Sequence, residues 1–137
     1  MRNLFFSFTF FAILMGCRSN DTKNESLNGT WQLVERWQGG ISPIPSEWIL
    51  VENGYKYYFK ANHIVTTDQY GSNCSSDGTY LFQDDEKKLS MVFKCTEGDV
   101  KPSYDISFEG SDVIVFTPNP NNCVEGCKFR FRRINNN

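Results

Sequence analysis

In the stretch Leu27-Asn28-Gly29-Thr30-Trp31-Gln32-Leu33, residues typical of a turn are followed directly by residues typical of a β-strand. From Thr30 to Gln38, apolar and polar residues alternate, which predicts that Trp31, Leu33 and Trp37 lie on one face of an extended chain. A period of two is typical of a half-buried β-strand. Further along the chain, no segment keeps the apolar spacing i, i+3, i+4, i+7 of an amphipathic helix, so we expect an all-β fold.

Runs of this kind recur along the chain between turn residues. They are Thr30 to Gln38, Tyr55 to Lys60, Ile64 to Gln69, Gly78 to Phe82, Leu89 to Lys94, Ser103 to Glu109, Asp112 to Thr117 and Lys128 to Ile134. Short connections such as Ala61-Asn62-His63 and Gly110-Ser111 predict antiparallel hairpins. Strands paired in sequence leave two open edges unless the sheet closes. We therefore expect an eight-stranded antiparallel up-and-down barrel, and a β-sandwich is the alternative that the pattern leaves open.

The triplet Gly29-Thr30-Trp31 resembles the G-x-W motif that opens lipocalin-like domains, including those of small bacterial lipoproteins. The resemblance implies that Gly29 lets the chain turn tightly beneath the barrel and that Trp31 plugs its closed end. It also implies an arginine near the end of the last strand, packed across the tryptophan ring in a cation–π contact of about 1 kcal/mol. Alternation selects Arg133, because it shares a face with the phenylalanines of the last run.

The N-terminus has the features of a bacterial export signal. Arg2 precedes a charge-free apolar run from Leu4 to Met15, which is too short to span a bilayer. The run ends in Leu14-Met15-Gly16-Cys17, which resembles the lipobox of bacterial lipoproteins. The resemblance implies that Cys17 is acylated, becomes the first residue after cleavage and anchors the protein to the membrane.

These features predict the domain organisation and the location. We expect residues 1–16 to be a lipoprotein signal peptide, residues 17–26 to be a lipid anchor with a flexible tether, and residues 27–137 to be the barrel domain. Arg18 follows Cys17 in place of the aspartate that often retains lipoproteins at the inner membrane. The expected location is therefore the bacterial cell envelope, as an outer-membrane lipoprotein.

The charge balance argues against nucleic acid as a partner. The chain has 14 basic and 16 acidic residues, with a net charge of −2, whereas nucleic-acid-binding domains usually carry a basic patch. The basic residues between Lys128 and Arg133 alternate with phenylalanines and indicate one face of a strand.

Four cysteines remain after the anchor: Cys74, Cys95, Cys123 and Cys127. An even number of cysteines in an exported chain predicts two disulfides. Three pairings are possible, and hairpin register favours Cys74 with Cys95 and Cys123 with Cys127. A structural zinc site is the weaker interpretation, because the cysteine spacing lacks a second close pair.

The long connection from Gly39 to Gly54 is the candidate ligand-binding segment. Loops of more than about 12 residues are often lids, and Ser46 is expected to cap a short helical turn there. An apolar pocket for a lipid-like or aromatic small molecule would be lined by Trp37, Trp48, Ile49, Tyr55, Tyr57 and Phe59. The alternative is that these aromatic residues fill the barrel and leave no cavity.

The sequence predicts no catalytic activity and no cofactor. His63, the only histidine, falls in a hairpin turn without a nucleophile or a metal-ligand partner. A second functional hypothesis is a monomeric interaction or inhibitor module that binds another envelope protein. The loop from Pro118 to Cys127, stiffened by a disulfide, would then be the contact surface.

Overall fold

The structure, a computed structural model, describes residues 26–39, 45–123 and 126–135. These residues form nine β-strands and one 3-10 turn, Gly71–Asn73. The strands are β1 (Gly29–Gln38), β2 (Glu47–Leu50), β3 (Lys56–Phe59), β4 (Ile64–Thr67), β5 (Cys74–Gln83), β6 (Lys88–Cys95), β7 (Ser103–Phe108), β8 (Val113–Pro118) and β9 (Phe129–Ile134).

The sheet closes on itself because β1 also pairs antiparallel with β9. Strands β2 and β3 lie end to end along the other edge of β1: β3 pairs with residues 29–32 and β2 with residues 35–38. The nine strands therefore fill eight positions of a closed antiparallel up-and-down barrel. The predicted barrel is confirmed, and the sandwich is excluded.

Strand β2 was not predicted. The sequence suggested a helical turn after Ser46, but Glu47–Leu50 is extended, with Trp48 opposite Trp37 and Leu50 opposite Glu35 on β1. Four residues are too few to distinguish a period of two from a period of 3.6, so pairing with β1 decides the conformation.

A β-bulge divides β1 into two halves that face differently. The register against β9 shifts between Leu33 and Glu35, and the extra residue is Val34. A bulge reverses the alternation of faces, so Trp37 lies outside the barrel with Glu35. The expectation that Trp37 shares a face with Trp31 and Leu33 is therefore wrong.

The link between β2 and β3 follows this bulge closely. The Val51 amide donates to the Val34 carbonyl at 2.9 Å, and the Leu33 amide donates to the Tyr55 carbonyl at 3.0 Å. A Cβ at Gly54 would collide with the Leu33 carbonyl oxygen, so the close backbone approach needs a glycine at this position.

The barrel interior is filled by apolar and aromatic side chains. The largest fully buried ones are Trp31, Tyr57, Phe59, Phe93, Phe116, Phe131, Leu89, Met91, Ile114 and Val65. Their rings pack in direct contact; Tyr57, for example, stacks on Phe116 at 6.0 Å between centroids. The alternative in which aromatic residues fill the barrel therefore describes most of its lumen.

The two ends of the barrel differ in their connections. One end, called the base here, carries the short turns 60–63, 84–87 and 109–112, together with the first described residue, Ser26, and the end of β9. The other end, called the mouth, carries the longer connections 68–73, 96–102 and 119–128 and both disulfides.

Candidate functional site

The base is closed by a buried indole. Trp31 has no solvent exposure, and its Nε1 donates a hydrogen bond to the Leu27 carbonyl at 2.7 Å. The guanidinium carbon of Arg133 lies 4.1 Å from the centre of the Trp31 ring. The structure thus places Trp31 and Arg133 as the resemblance implied, with cation and ring in contact.

Arg133 also ties the incoming chain to the end of the barrel. Its guanidinium donates to three backbone carbonyls: Ser26 at 2.7 Å, Asn28 at 2.5 Å and Ser111 at 3.1 Å. Gly29 has φ of +120°, and a Cβ there would lie 2.8 Å from Arg133 Nη1. Gly29 is therefore required for both the backbone turn and the approach of the arginine.

The mouth is braced by covalent bonds and hydrogen bonds. Cys74 and Cys95 are opposite each other on β5 and β6 and form a disulfide. Cys123 and Cys127 form the second disulfide within the connection between β8 and β9. Both bridges join the partners that the sequence favoured.

The connection between β8 and β9 is fixed further by two asparagines. The Asn121 side-chain oxygen accepts hydrogen bonds from the amides of Cys123 and Cys127 at 3.3 and 3.4 Å. Asn119 Nδ2 donates to Asp105 Oδ1 at 3.0 Å. These hydrogen bonds therefore fix the described residues on both sides of this disulfide.

Four tyrosines meet inside the barrel near the mouth. The Tyr57 hydroxyl donates to Gln69 Oε1 at 2.5 Å, and burial together with the nearby Tyr55, Tyr70 and Tyr104 raises its pKa. Burial raises the pKa of Tyr104 to about 12, and it raises the pKa values of the other three tyrosines as well. The four hydroxyls therefore stay protonated at physiological pH, as the polar upper layer of an otherwise apolar core.

The outer wall between β1, β2 and β9 carries a second aromatic cluster. Trp37 and Trp48 meet edge to face with centroids 5.4 Å apart, and the guanidinium carbon of Arg130 lies 3.9 Å from the Trp48 ring centre. Arg130 Nη1 donates to Glu35 Oε2 at 2.6 Å, and Arg130 Nε lies 3.2 Å from Glu109 Oε2. These five residues are called the outer-wall cluster.

The six residues expected to line a ligand pocket do not meet in one place. Tyr57 and Phe59 are buried in the core, and Tyr55 packs beside Tyr57 with centroids 5.5 Å apart. Trp37 and Trp48 belong to the outer-wall cluster, whereas Ile49 lies on the opposite face of β2 from Trp48. The wall of the barrel separates the two groups.

Concave surfaces do occur on the barrel, at its base and near its mouth. A groove of about 410 Å³ at the base is lined by Leu27, His63, Tyr80, Asp84 and neighbouring residues. A smaller one of about 260 Å³ follows the outer face beside Arg133, and another of about 320 Å³ lies beside Trp37, Cys127 and Phe129 near the mouth.

His63 is an exposed turn residue. It adopts a left-handed conformation with φ of 61°. Within the described ranges, no three His, Cys, Asp or Glu side chains are grouped closely enough to hold a metal ion. In the same ranges, no helix has the length and apolar character needed to cross a membrane.

Cys17 and the segments 1–16 and 17–25 lie outside the described residues, as does part of the loop from Gly39 to Gly54. The signal peptide and the anchor therefore stay predictions.

Sequence reasoning missed the outer-wall cluster and most of the tyrosine layer. The cluster depends on the bulge at Val34, which no residue type marks. Tyr70 and Tyr104 lie in distant parts of the sequence, and only barrel closure brings them together. A partial signal exists in Arg130, which alternates with Phe129 and Phe131 and so had to face outward.

No protein-family model matches this chain, and comparisons with curated proteins and with solved structures likewise found no match. The function is therefore inferred from the geometry of the barrel itself.

Proposed function

We propose that this protein is a lipid-anchored lipoprotein of the bacterial cell envelope whose non-catalytic, lipocalin-like barrel binds another envelope protein. One observation carries the proposal: the barrel fills its lumen with its own side chains, while the described residues at the mouth are held by two disulfides and by side-chain hydrogen bonds. Preordered loops lose little conformational entropy on binding, which favours a protein contact surface.

The end of the barrel at which the incoming chain arrives supports the same role. Arg133 holds Ser26 at the base, so a chain anchored through Cys17 would reach the barrel at that end. Nine Cα–Cα steps lead from Cys17 to Ser26 (26 − 17 = 9), and an extended chain of this length spans roughly 30 Å. The base would then face the membrane, and the mouth would point away from it toward a partner.

Binding of a small apolar ligand is the second candidate. It would take place above Tyr57, where Tyr55 and Tyr70 are only partly buried at the mouth. A panel of fluorescent fatty acids tests this role, because saturable binding with quenching of tryptophan emission would support it. Absence of saturable binding would remove it.

Site-specific photo-crosslinking in the native host tests the partner-binding role. A photoreactive residue at the exposed Asn122 near the mouth should form a discrete adduct with an envelope protein, whereas the same residue at the exposed Asp85 at the base should not. Adducts at neither position, or equal adducts at both, would contradict the proposal. Loss of radiolabelled fatty-acid incorporation in Cys17→Ser would test the anchor separately.

A further inference from the structure

Strand β2 is an open edge in an otherwise closed barrel. It pairs with β1 on one side, and no strand among the described residues pairs with its other side. The neighbouring position in the sheet belongs to β4, which pairs with β3 and ends at Thr67 opposite Tyr57. The place beside β2 is therefore not taken by any described strand.

The hydrogen-bonding groups at this edge follow from the register. The Val51 amide donates to Val34 of β1, so by alternation Ile49 also points its backbone groups at β1. Trp48 and Leu50 then direct their N–H and C=O groups away from β1, toward the strand position on the other side of β2. Such unpaired groups are a template for an added strand.

The side chains beside this edge form a fixed apolar surface. Leu50 is 77% exposed, and Trp48 lies on the same outer face two residues earlier. Trp48 is held between Trp37 and Arg130, and Glu35 and Glu109 in turn hold Arg130. Tryptophan and arginine are enriched at the energetic centres of interfaces, and prior ordering lowers the cost of binding.

Charge selects the kind of occupant. The exposed carboxylates of Glu47 and Glu52 flank the edge at its two ends, and neither forms an ion pair with a described residue. A second copy of β2 would bring its own two carboxylates to the same place, and like charges repel across strands. A partner strand with apolar residues in its middle and a basic residue at each end would match Trp48 and Leu50 as well as the carboxylates of Glu47 and Glu52.

We propose that the β2 edge binds an extended segment of a partner protein as an added strand. The segment carries apolar side chains at alternate positions and a lysine or arginine at each end. This inference rests on the partner-binding role and names the surface and the chemistry of the partner.

Titration of the folded protein with a designed peptide tests the inference. The probe is the acetylated and amidated heptapeptide Lys-Val-Thr-Val-Thr-Val-Lys, followed by calorimetry and hydrogen–deuterium exchange. Saturable binding is expected, with new protection of the Trp48 and Leu50 amides. The same peptide with glutamate in place of both lysines, or with alternate amides N-methylated, is expected to bind at least about tenfold more weakly.

Matched variants localise the effect. Leu50→Glu is expected to weaken peptide binding about tenfold. Leu81→Glu places the same charge on another exposed leucine, 58% exposed on β5, and is expected to leave binding unchanged. Glu52→Lys should weaken binding, whereas Glu97→Lys on a distant turn should not.

Three results would overturn the inference. They are slow exchange of the Trp48 and Leu50 amides in the free protein, a concentration-dependent dimer that protects them, and binding that is indifferent to N-methylation. A cross-link at Asn122 without amide protection at β2 would refute this surface and leave the partner-binding role standing. Peptide binding at β2 without any cross-link at Asn122 would support this surface and contradict the partner-binding role.

Discussion

Two tryptophan–arginine pairs lie on opposite sides of the same barrel wall, and they are built differently. At the base, Arg133 covers Trp31 at 4.1 Å and donates its hydrogen bonds to backbone carbonyls. In the outer-wall cluster, Arg130 covers Trp48 at 3.9 Å and is held by carboxylates. Three positions along β9 separate the two arginines, an odd number, so they face opposite ways.

The difference indicates which pair stabilises the fold and which pair orders side chains on the outer surface. Carbonyl partners at Ser26, Asn28 and Ser111 join three separate parts of the backbone, so the base pair fixes chain paths. Carboxylate partners at Glu35 and Glu109 fix only side chains. We therefore expect changes at the base to alter stability strongly and changes on the outer wall to alter stability weakly.

Removal of the two indoles should give the largest contrast. Trp31→Ala would leave a cavity at a position with no solvent exposure, and we expect a loss of about 3–5 kcal/mol in the free energy of unfolding. Trp48→Ala removes a partly exposed ring, and we expect a loss of about 1 kcal/mol. Urea denaturation followed by circular dichroism measures both. Equal losses would contradict the distinction between base and outer wall.

Removal of the disulfides at the mouth should cause the next largest losses in the free energy of unfolding. The bond between Cys74 and Cys95 closes a loop with a sequence separation of 21, and its removal by a double serine variant is expected to cost about 3 kcal/mol. The bond between Cys123 and Cys127 spans a separation of 4, and its removal should cost about 2 kcal/mol. Thermal denaturation of the two variants tests the order, and a larger effect of the second bond would reverse it.

The base pair was predictable because the resemblance implies an arginine across the Trp31 ring and because β9 is regular. Residues Phe129 to Arg133 alternate without interruption, so parity alone placed Arg133 on the inner face, where the structure has it. The same rule failed on β1, because the bulge at Val34 reversed the faces beyond it. A bulge arises from backbone pairing between distant strands, which a residue pattern does not encode.

The interior of the barrel could not be derived from the sequence for a different reason. Whether eight strands enclose a cavity depends on their tilt and stagger as well as on side-chain volume. The aromatic residues expected to line a pocket at Tyr57 and Phe59 instead fill the lumen. The disulfide between Cys74 and Cys95 could be predicted from the sequence, because a hairpin that turns at Asp85 places the two cysteines opposite each other.

Alkaline pH should weaken the mouth more than the base. The pKa of Tyr104 is raised to about 12 in the folded protein, from an ordinary value near 10. The folded state therefore keeps a proton on Tyr104 that the unfolded state loses, and the contribution of Tyr104 to stability falls by about 2–3 kcal/mol as pH rises from about 10 to about 12. We expect Tyr104→Phe to reduce this slope in urea titrations at stepped pH.

Tyr80 provides the matched control at the base. Its hydroxyl donates to the Lys60 carbonyl at 2.7 Å, and burial raises its pKa as well, but the residue is less buried than Tyr104. Tyr80→Phe should therefore change the alkaline slope less. A larger change in Tyr80→Phe than in Tyr104→Phe would place the alkaline sensitivity at the base instead.

The smallest expected effect is the coupling of Arg130 with Glu35. Their side chains are 22% and 24% exposed, and a double-mutant cycle with Arg130→Met and Glu35→Gln should give about 0.5–1 kcal/mol. Because both groups are charged and partly solvated, 1 M salt should reduce this coupling. Arg133→Met should cost more, and its cost should change little with salt, since its hydrogen-bond partners are uncharged carbonyls. A coupling at Arg130 that salt leaves intact would mean that the carboxylates act through shape, and the outer-wall cluster would then be as structural as the base.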